Sequence, residues 1–429
     1  MRLVLHDVND DVRFNFRPLS LSRPIWELRC GMTTLAAKLA ARVGSEPAGY
    51  LVPDYMADVY AAKVDAPVND LKALTGDDVL LVAGQVKADG FDVAAQGAGE
   101  VGVDADGNVL YARIPADDIA KLVAQANTPA ELIDAAKAAL PVVTSSLATW
   151  KYTWDLVLAN PGQLVADFAT AGRSGIEGDV EQPNAIRGSA KDVYIAPGVK
   201  IHPMVVLDAA EGPIYIDADA EIHPFTRIEG PCYIGEKSIL LGAKCREGNS
   251  IGPVCRIGGE VEESIIHGHS NKYHDGFLGH AYVGEWVNLG ALTTNSDLKN
   301  DYGNVAVMLD GRRPIDTGST KVGSLIGDHT KTSIGTLLNT GSYVGAMGLI
   351  MAAGKPLAKF IPSFAWLLDG IVTKGFGKGK LYETAKVAMS RRQCQWTDAE
   401  QAMWDAIFAL TSPARNEAVR KGRKKMLKK

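Results

Sequence analysis

Long apolar runs, a disulfide pattern and a dominant charge are all missing from this chain, and each absence removes a class of function. No stretch approaches the ~20 consecutive apolar residues needed to cross a bilayer. The opening "MRLVLHDVNDD" turns acidic before an apolar run could serve as a signal peptide. The five cysteines, at 30, 232, 245, 255 and 394, form no CxxC pair and leave an odd count. Reduced thiols in a cytoplasmic protein are therefore expected, and a disulfide framework is not. The net charge of -5 over 429 residues is too small to set up a field favouring nucleic acid or acidic membranes, so neither is expected as a partner. The basic tail "RKGRKKMLKK" is a local exception, either a solvated helix end or a grip on phosphates or RNA. Histidine is scarce too, eight in the whole chain, yet two fall in "SNKYHDGFLGHAYVGEWVNLG", residues 270–290.

With 46% hydrophobic and 22% charged content, the chain can bury roughly two or three ordinary cores. Residues 1–170 alternate short apolar runs with helical patterns, which predicts an α/β domain built on a mostly parallel sheet. "RLVLHD", "AGYLV" and "DDVLLVAGQV" read as strands. "TTLAAKLAARVG" reads as a helix with Thr33 or Thr34 as N-cap and Gly44 as terminator. "GVDADGNVLYARI" carries the Asp-Gly signal of a hairpin. The stretch 171–190, containing Gly, Ser and Pro, reads as a linker.

Over 191–354 the texture changes. Apolar residues recur at every sixth position: Ile195, Ile201 and Leu207, then, after a three-residue excursion, Ile216, Ile222, Ile228, Ile234 and Leu240. The register returns at Ile251 and Ile257, and again at Val283 and Leu289. A hexapeptide period means short flat strands joined by tight turns, each apolar residue pointing into a narrow prism. Such coils stack at about 4.7–4.9 Å. The pattern weakens between about 291 and 325, an excursion or extended loop, before "SLIGDHTKTSIGTLLNTGSYVG" resumes it. Residues 355–429, from "KPLAKFIPSFAW" onward, read as a helical region. Thr397 and Glu400 form a capping box there, and the region is expected to cap the solenoid's open end.

Hexads combined with "HDGFLGHAYVGEWVNLG" resemble the left-handed parallel β-helix acyltransferases. Within them the chain is most similar to the bifunctional enzymes that make UDP-N-acetylglucosamine, in a divergent bacterial branch with an unusual uridyltransferase domain. The resemblance covers essentially the whole chain and is strongest over 270–345. It implies an α/β nucleotidyltransferase-like domain, a left-handed parallel β-helix and a C-terminal helical cap. It also implies acetyl-CoA as co-substrate, an amino-sugar phosphate and a nucleoside triphosphate as the other small molecules, and a homotrimer with active sites at its seams. His274 matches the histidine that takes a proton from the sugar's amino group as it attacks the thioester, a task suited to a base titrating near neutrality. Asn288 matches an asparagine that contacts the sugar. Asn295 and Lys299 lie where the family places further sugar and phosphate contacts, and Phe277 stands where ordinary members have tyrosine. Arg246, Arg256 and Lys272 are candidate anchors for a sugar phosphate. Lys331, Arg391 and Arg392 are candidates for the adenosine phosphates of coenzyme A.

At the N-terminus, "RPLSLSRPIWELRCGMTT" is similar to that branch's counterpart of the nucleotidyltransferase signature, without the Gly-rich loop of ordinary members. Nucleotidyl transfer needs cationic clamps and usually Mg2+ held by a carboxylate. Arg17, Arg23 and Arg29 are the candidate clamps. Ordinary members carry a metal-binding Gly-Asp pair where this chain has Gly84 and Gln85. Asp7 is the nearest spare carboxylate, either a ligand or simply a strand terminus. No metal site is assigned, and His267 and His269 have no Cys or carboxylate at ligand spacing. Two classes of function remain open: an N-acetyltransferase with an attached nucleotidyltransferase domain, or a non-catalytic sugar-nucleotide binding or scaffold protein that keeps the trimeric β-helix.

Overall fold

A computed structural model describes residues 1–94, 96–352 and 354–427. It has an α/β domain, a parallel β-helix and C-terminal helices, the expected succession. None of the described helices is long and apolar enough to cross a membrane.

The first sheet runs in the order Pro47–Leu51, Arg2–His6, Val79–Ala83, Val109–Ile114, Glu100–Val103, Val142–Thr144. Its first three strands are parallel, and Val109–Ile114 is antiparallel to both neighbours. Val79–Ala83 is buried at every residue, as a central strand covered on both faces must be. The helix Leu35–Val43 begins where the Thr34 side chain accepts from the Ala37 N–H, and it ends at Gly44 with φ 73°. The Asp-Gly hairpin is formed, with Gly107 at φ 83°.

In the β-helix each coil contributes short strands to three parallel faces. One face stacks ten strands, from Gly175–Ile176 to Phe360–Ile361. Ile216 pairs with Ile234 and Ile222 with Leu240, so three hexads close one coil. The excursion lengthens the preceding coil, where Ile195 pairs with Ile216. Every hexad residue from Ile195 to Leu289 named above is buried in one continuous core. The same face carries an outward ladder that includes Tyr194, Tyr215 and Tyr233, then Ile265, Tyr282, Leu325 and Tyr343. The N-terminal domain covers its upper half with Phe16, Leu19, Ile25, Leu28, Trp150 and Trp154. The Arg29 N–H donates to the Tyr282 hydroxyl at 2.7 Å.

Two stretches differ from the expectation. The segment 171–190 does not simply link: Gly175–Ile176, Asp179–Val180 and Ala185–Gly188 already pair with the next coil. After "KP", the chain makes one more coil before any helix, with Ile361 and Leu367 buried six residues apart. That hexad is hidden because its outward neighbours Phe360, Phe364 and Trp366 are aromatic and covered, which mimics a helical stripe. The helices are Gly377–Ser390, Asp398–Leu410 and Ser412–Met426. The Thr397 and Glu400 capping box is present. Ser412–Met426 presses on the final strand so closely that a Cβ at Gly422 would lie 2.5 Å from the Val372 carbonyl. Met403, Trp404 and Ile407 also reach the α/β domain, packing with Met56, Val59 and Tyr60 and with Met347 and Phe364 of the β-helix.

The excursion leaves the coil next to a buried imidazole. His280 Nδ1 lies 2.8 Å from Asp297, and its Nε2 lies 3.3 Å from Glu263. Burial opposes the charge, but the bonds to Asp297 and Glu263 outweigh it and push the pKa up to about 9. A folded-state value above the usual ~6.5 means that the stabilisation is complete below that pH and is lost as pH rises through about 9. His280→Ala should therefore cost more stability in urea unfolding at pH 6 than at pH 10; equal costs would contradict the ion pairs. In the prism, Ile257→Ala should lower the unfolding free energy by ~2–5 kcal/mol, read from the same urea curves.

Candidate functional site

The residues singled out from the sequence fall into three places. The first is the turn 273–276, at a corner of the prism. Lys272 is buried and its Nζ donates to the carbonyls of Gly258 at 2.9 Å and His274 at 2.6 Å. Burial pushes its ammonium down to about 8. Lys272 therefore holds the turn rather than facing a phosphate. His274 is exposed on that turn, its ring 5.9 Å from the Tyr273 ring and without a hydrogen-bond partner among the described residues. Asn295 is buried and uses its amide at both ends on Gly279, accepting from the N–H at 2.8 Å and donating to the carbonyl at 2.9 Å. Lys299 pairs with Asp301 at 3.0 Å on the excursion. Arg246 pairs with Glu262 at 2.6 Å.

The second place is a groove of ≈ 250 Å³ between one β-helix face and the helix Gly377–Ser390. Asn271, Asn288 and Lys331 lie in register on successive coils, with Arg256 in register on the coil before. Arg391 and Arg392 close the groove from the helix end. Arg392 donates to Asn271 Oδ1 at 3.3 Å, and its buried Nε has no partner among the described residues. Burial, then the neighbouring Arg392, pushes the Arg256 pKa down, and burial pushes Lys331 down to about 8. Lys331 also donates to the carbonyls of Trp286 and, at 3.1 Å, His329, so the arginines are the cations that an anion in this open groove would meet. Trp286 forms the apolar wall, stacked on His269 with ring centroids 4.4 Å apart. Asn271 and Trp286 were missed from sequence, although Asn271 stands one hexad-coil before Asn288 and could have been found by writing the coils in register.

The third place is the α/β domain, where Arg17, Arg23 and Arg29 do not converge. Arg17 lies over the Phe14 ring, 4.8 Å from its centroid. Arg29 donates to the Met32 carbonyl at 2.9 Å. Arg23, expected as a phosphate clamp, is buried and pairs through Nη2 with Asp328 and, at 3.3 Å, Glu285 of the β-helix, while its buried Nη1 has no partner among the described residues. Past the ends of the parallel strands, Asp7 is closed off by Arg13 and by the Ile25 N–H, and burial pushes its carboxyl up to about 6. With Asp7 occupied and Gln85 neutral and buried, these residues do not fit a Mg2+ ion. The cavity beside Arg23, lined also by Tyr60, Lys63, His267 and Glu285, holds ≈ 110 Å³, less than half the ≈ 250 Å³ of the groove, and both lie below the ~300 Å³ of fully enclosing small-molecule pockets.

Against known proteins, residues 3–174 match the family model described as sugar nucleotidyl transferase. A bifunctional sugar-1-phosphate nucleotidylyltransferase/acetyltransferase of Sulfurisphaera tokodaii is 36% identical over 152 residues, 33% of this chain and 35% of that protein. Bifunctional protein GlmU of Synechococcus elongatus is 28% identical over 173 residues, 40% of this chain and 29% of that one. The GlmU of Methylibium petroleiphilum is 29% identical over 211 residues, 48% of this chain and 39% of that one. The chain thus spans about a third of the length of the curated relatives it matches. A crystal structure of UDP-N-acetylglucosamine acyltransferase covers 58% of this chain and 94% of its own at 13% identity, but at a TM-score of 0.24 it carries no argument. The chain is therefore similar in its first 174 residues to the sugar nucleotidyl transferases, and in matched segments to bifunctional nucleotidylyltransferase/acetyltransferases.

Proposed function

We propose that the chain transfers an acetyl group from acetyl-CoA to an amino-sugar phosphate at the β-helix, with a divergent sugar-1-phosphate nucleotidyltransferase domain attached. The observation that carries this is His274: an exposed, unpartnered imidazole on a turn that buried Lys272 fixes to two carbonyls. A base held by a rigid coil needs no reorganisation when substrate arrives. The sugar's amine attacks the thioester carbonyl, the C–N bond forms, His274 accepts the amine proton, and the C–S bond breaks to release the coenzyme A thiolate. Arg391, Arg392 and Arg256 receive phosphates in the groove, with Asn288 at its edge, whereas Lys331, like Lys272, spends its ammonium on two backbone carbonyls, those of Trp286 and His329.

The same corner supports a homotrimer. Met204, Phe225, Leu292 and Ile334 project from its stacked turns, with Phe225 78% and Ile334 71% exposed. The Leu292 N–H donates to the Asp275 carbonyl, so Leu292 stands on the coil next to His274. An apolar ridge of this kind fits a subunit seam.

For the α/β domain a second reading, a non-catalytic scaffold role, is favoured by the closed crevice and the pairing of Arg23 with Asp328. Mass-spectrometric assay of the full chain with acetyl-CoA and a panel of amino-sugar phosphates, then with nucleoside triphosphates, separates the two activities.

His274→Ala should keep its melting temperature and lower acetyl transfer ~100- to 10,000-fold, with partial recovery at higher pH as free amine becomes abundant. Unchanged turnover in that variant would remove His274 as the base. Sedimentation equilibrium should give a trimer that Phe225→Asp dissociates. A stable wild-type monomer at micromolar concentration would rule out shared sites.

A further inference from the structure

At the foot of the β-helix, far in sequence from His274, two histidines and two carboxylates from successive coils meet. Val180, Ile201 and Ile222 are in register, so Glu181, His202 and His223, each one residue further, follow one another from coil to coil. Glu221 stands just before Ile222. His202 Nε2 lies 2.9 Å from Glu221 Oε1, and His223 Nε2 lies 3.6 Å from the same oxygen. Ligand atoms of His202, Glu221 and His223 all lie within 4.8 Å of one another. On its other side His202 Nδ1 lies 3.4 Å from Glu181.

We propose that His202, Glu221 and His223 bind a divalent transition-metal ion of the Zn2+ class, with Glu181 as the positioning residue behind His202. Donor atoms on a tetrahedral zinc with bonds of ~2.0–2.1 Å stand roughly 3.3 Å apart. The contacts of 2.9 and 3.6 Å bracket that spacing, and the two imidazoles, the remaining pair, have ligand atoms within 4.8 Å. Two imidazole nitrogens with one carboxylate select a transition metal over Mg2+ or Ca2+, whose shells are oxygen. Three protein ligands leave a fourth position to water, which the partly exposed face supplies. A carboxylate on the far nitrogen of a ligating histidine is the usual outer-shell partner that fixes its tautomer, and Glu181 stands in that position. With neutral imidazoles the cluster carries the charge of two carboxylates, offset in part by Lys200, which lies in register with Glu221. The ion would tie the second and third coils of the stack.

The test uses the full-length chain, freed of any histidine tag, stripped with chelator and titrated with Zn2+ against a chromophoric competitor. One equivalent should bind, and binding should raise the melting temperature. His202→Ala and His223→Ala should each abolish that equivalent, whereas Glu181→Gln should keep it at roughly 10- to 100-fold weaker affinity. X-ray absorption of the wild-type complex should show nitrogen and oxygen ligands with imidazole scattering; it decides the matter even if a variant fails to fold. Failure of the wild type to take up zinc, uptake unchanged in the double histidine variant, or sulfur in the coordination shell would each overturn the assignment. None of these outcomes depends on the acetyl-transfer proposal.

Discussion

The inward column from Ile195 to Leu367 stays dry because its coils present aliphatic side chains in one register, and the polar exceptions Lys272, paired with Ile257, and Asn295, paired with Leu338, must spend their polar ends on the backbone. That demand sets the backbone of the outer surface as well. With the inward positions taken, the residues on either side must point out, and each outward residue stacks on its counterpart one coil away. The ladder of tyrosines on the covered face, the Arg256, Asn271, Asn288 and Lys331 series, and the apolar turns beside His274 are all consequences of one register. The turns themselves adopt left-handed backbone at non-glycine residues, such as Phe225 at φ 66° and Trp286 at φ 60°. Such strain persists because the coils above and below determine the path.

The union of the two domains rests on charge as much as on burial. Arg23 is buried between Asp328 and Glu285, with the Ser22 hydroxyl donating to Asp328 at 2.6 Å. Buried ions of this kind contribute little net stability but are costly to break one partner at a time, so they fix one docking orientation. The same arrangement removes from the α/β domain the cation best placed to meet a triphosphate. Holding the domains together and clamping a phosphate are competing uses of one guanidinium, and in this structure the first prevails.

Much of the fold was legible in the sequence because periodicity reports directly on burial. The hexads from Ile195 to Leu289, the Thr34 and Gly44 helix ends and the Asp-Gly hairpin depend on local geometry that each residue type carries with it. The last coil was not legible, since aromatic side chains at its outward positions are covered by helices that arrive only later in the chain. His274 could be picked out from its flanking pattern, but whether Lys272 and Asn295 faced ligand or backbone could not. Both have polar ends that could serve either partner, and only the approach of Gly258 and Gly279 across the coils assigns them to the backbone.

The sequence alone thus determined the prism, its period and the identity of the imidazole on its corner, because spacing along the chain is enough to specify which side chains face inward. Only the tertiary structure decided that Arg23 is neutralised, that the crevice beyond Asp7 is closed, and that Arg391 and Arg392 meet Lys331 across a groove. Nor could the sequence bring His202 beside His223: their separation matches a single coil lengthened by the excursion, a distance that means nothing until strands pair. These are contacts between segments remote in sequence, and long-range proximity is set by packing and charge rather than by local periodicity.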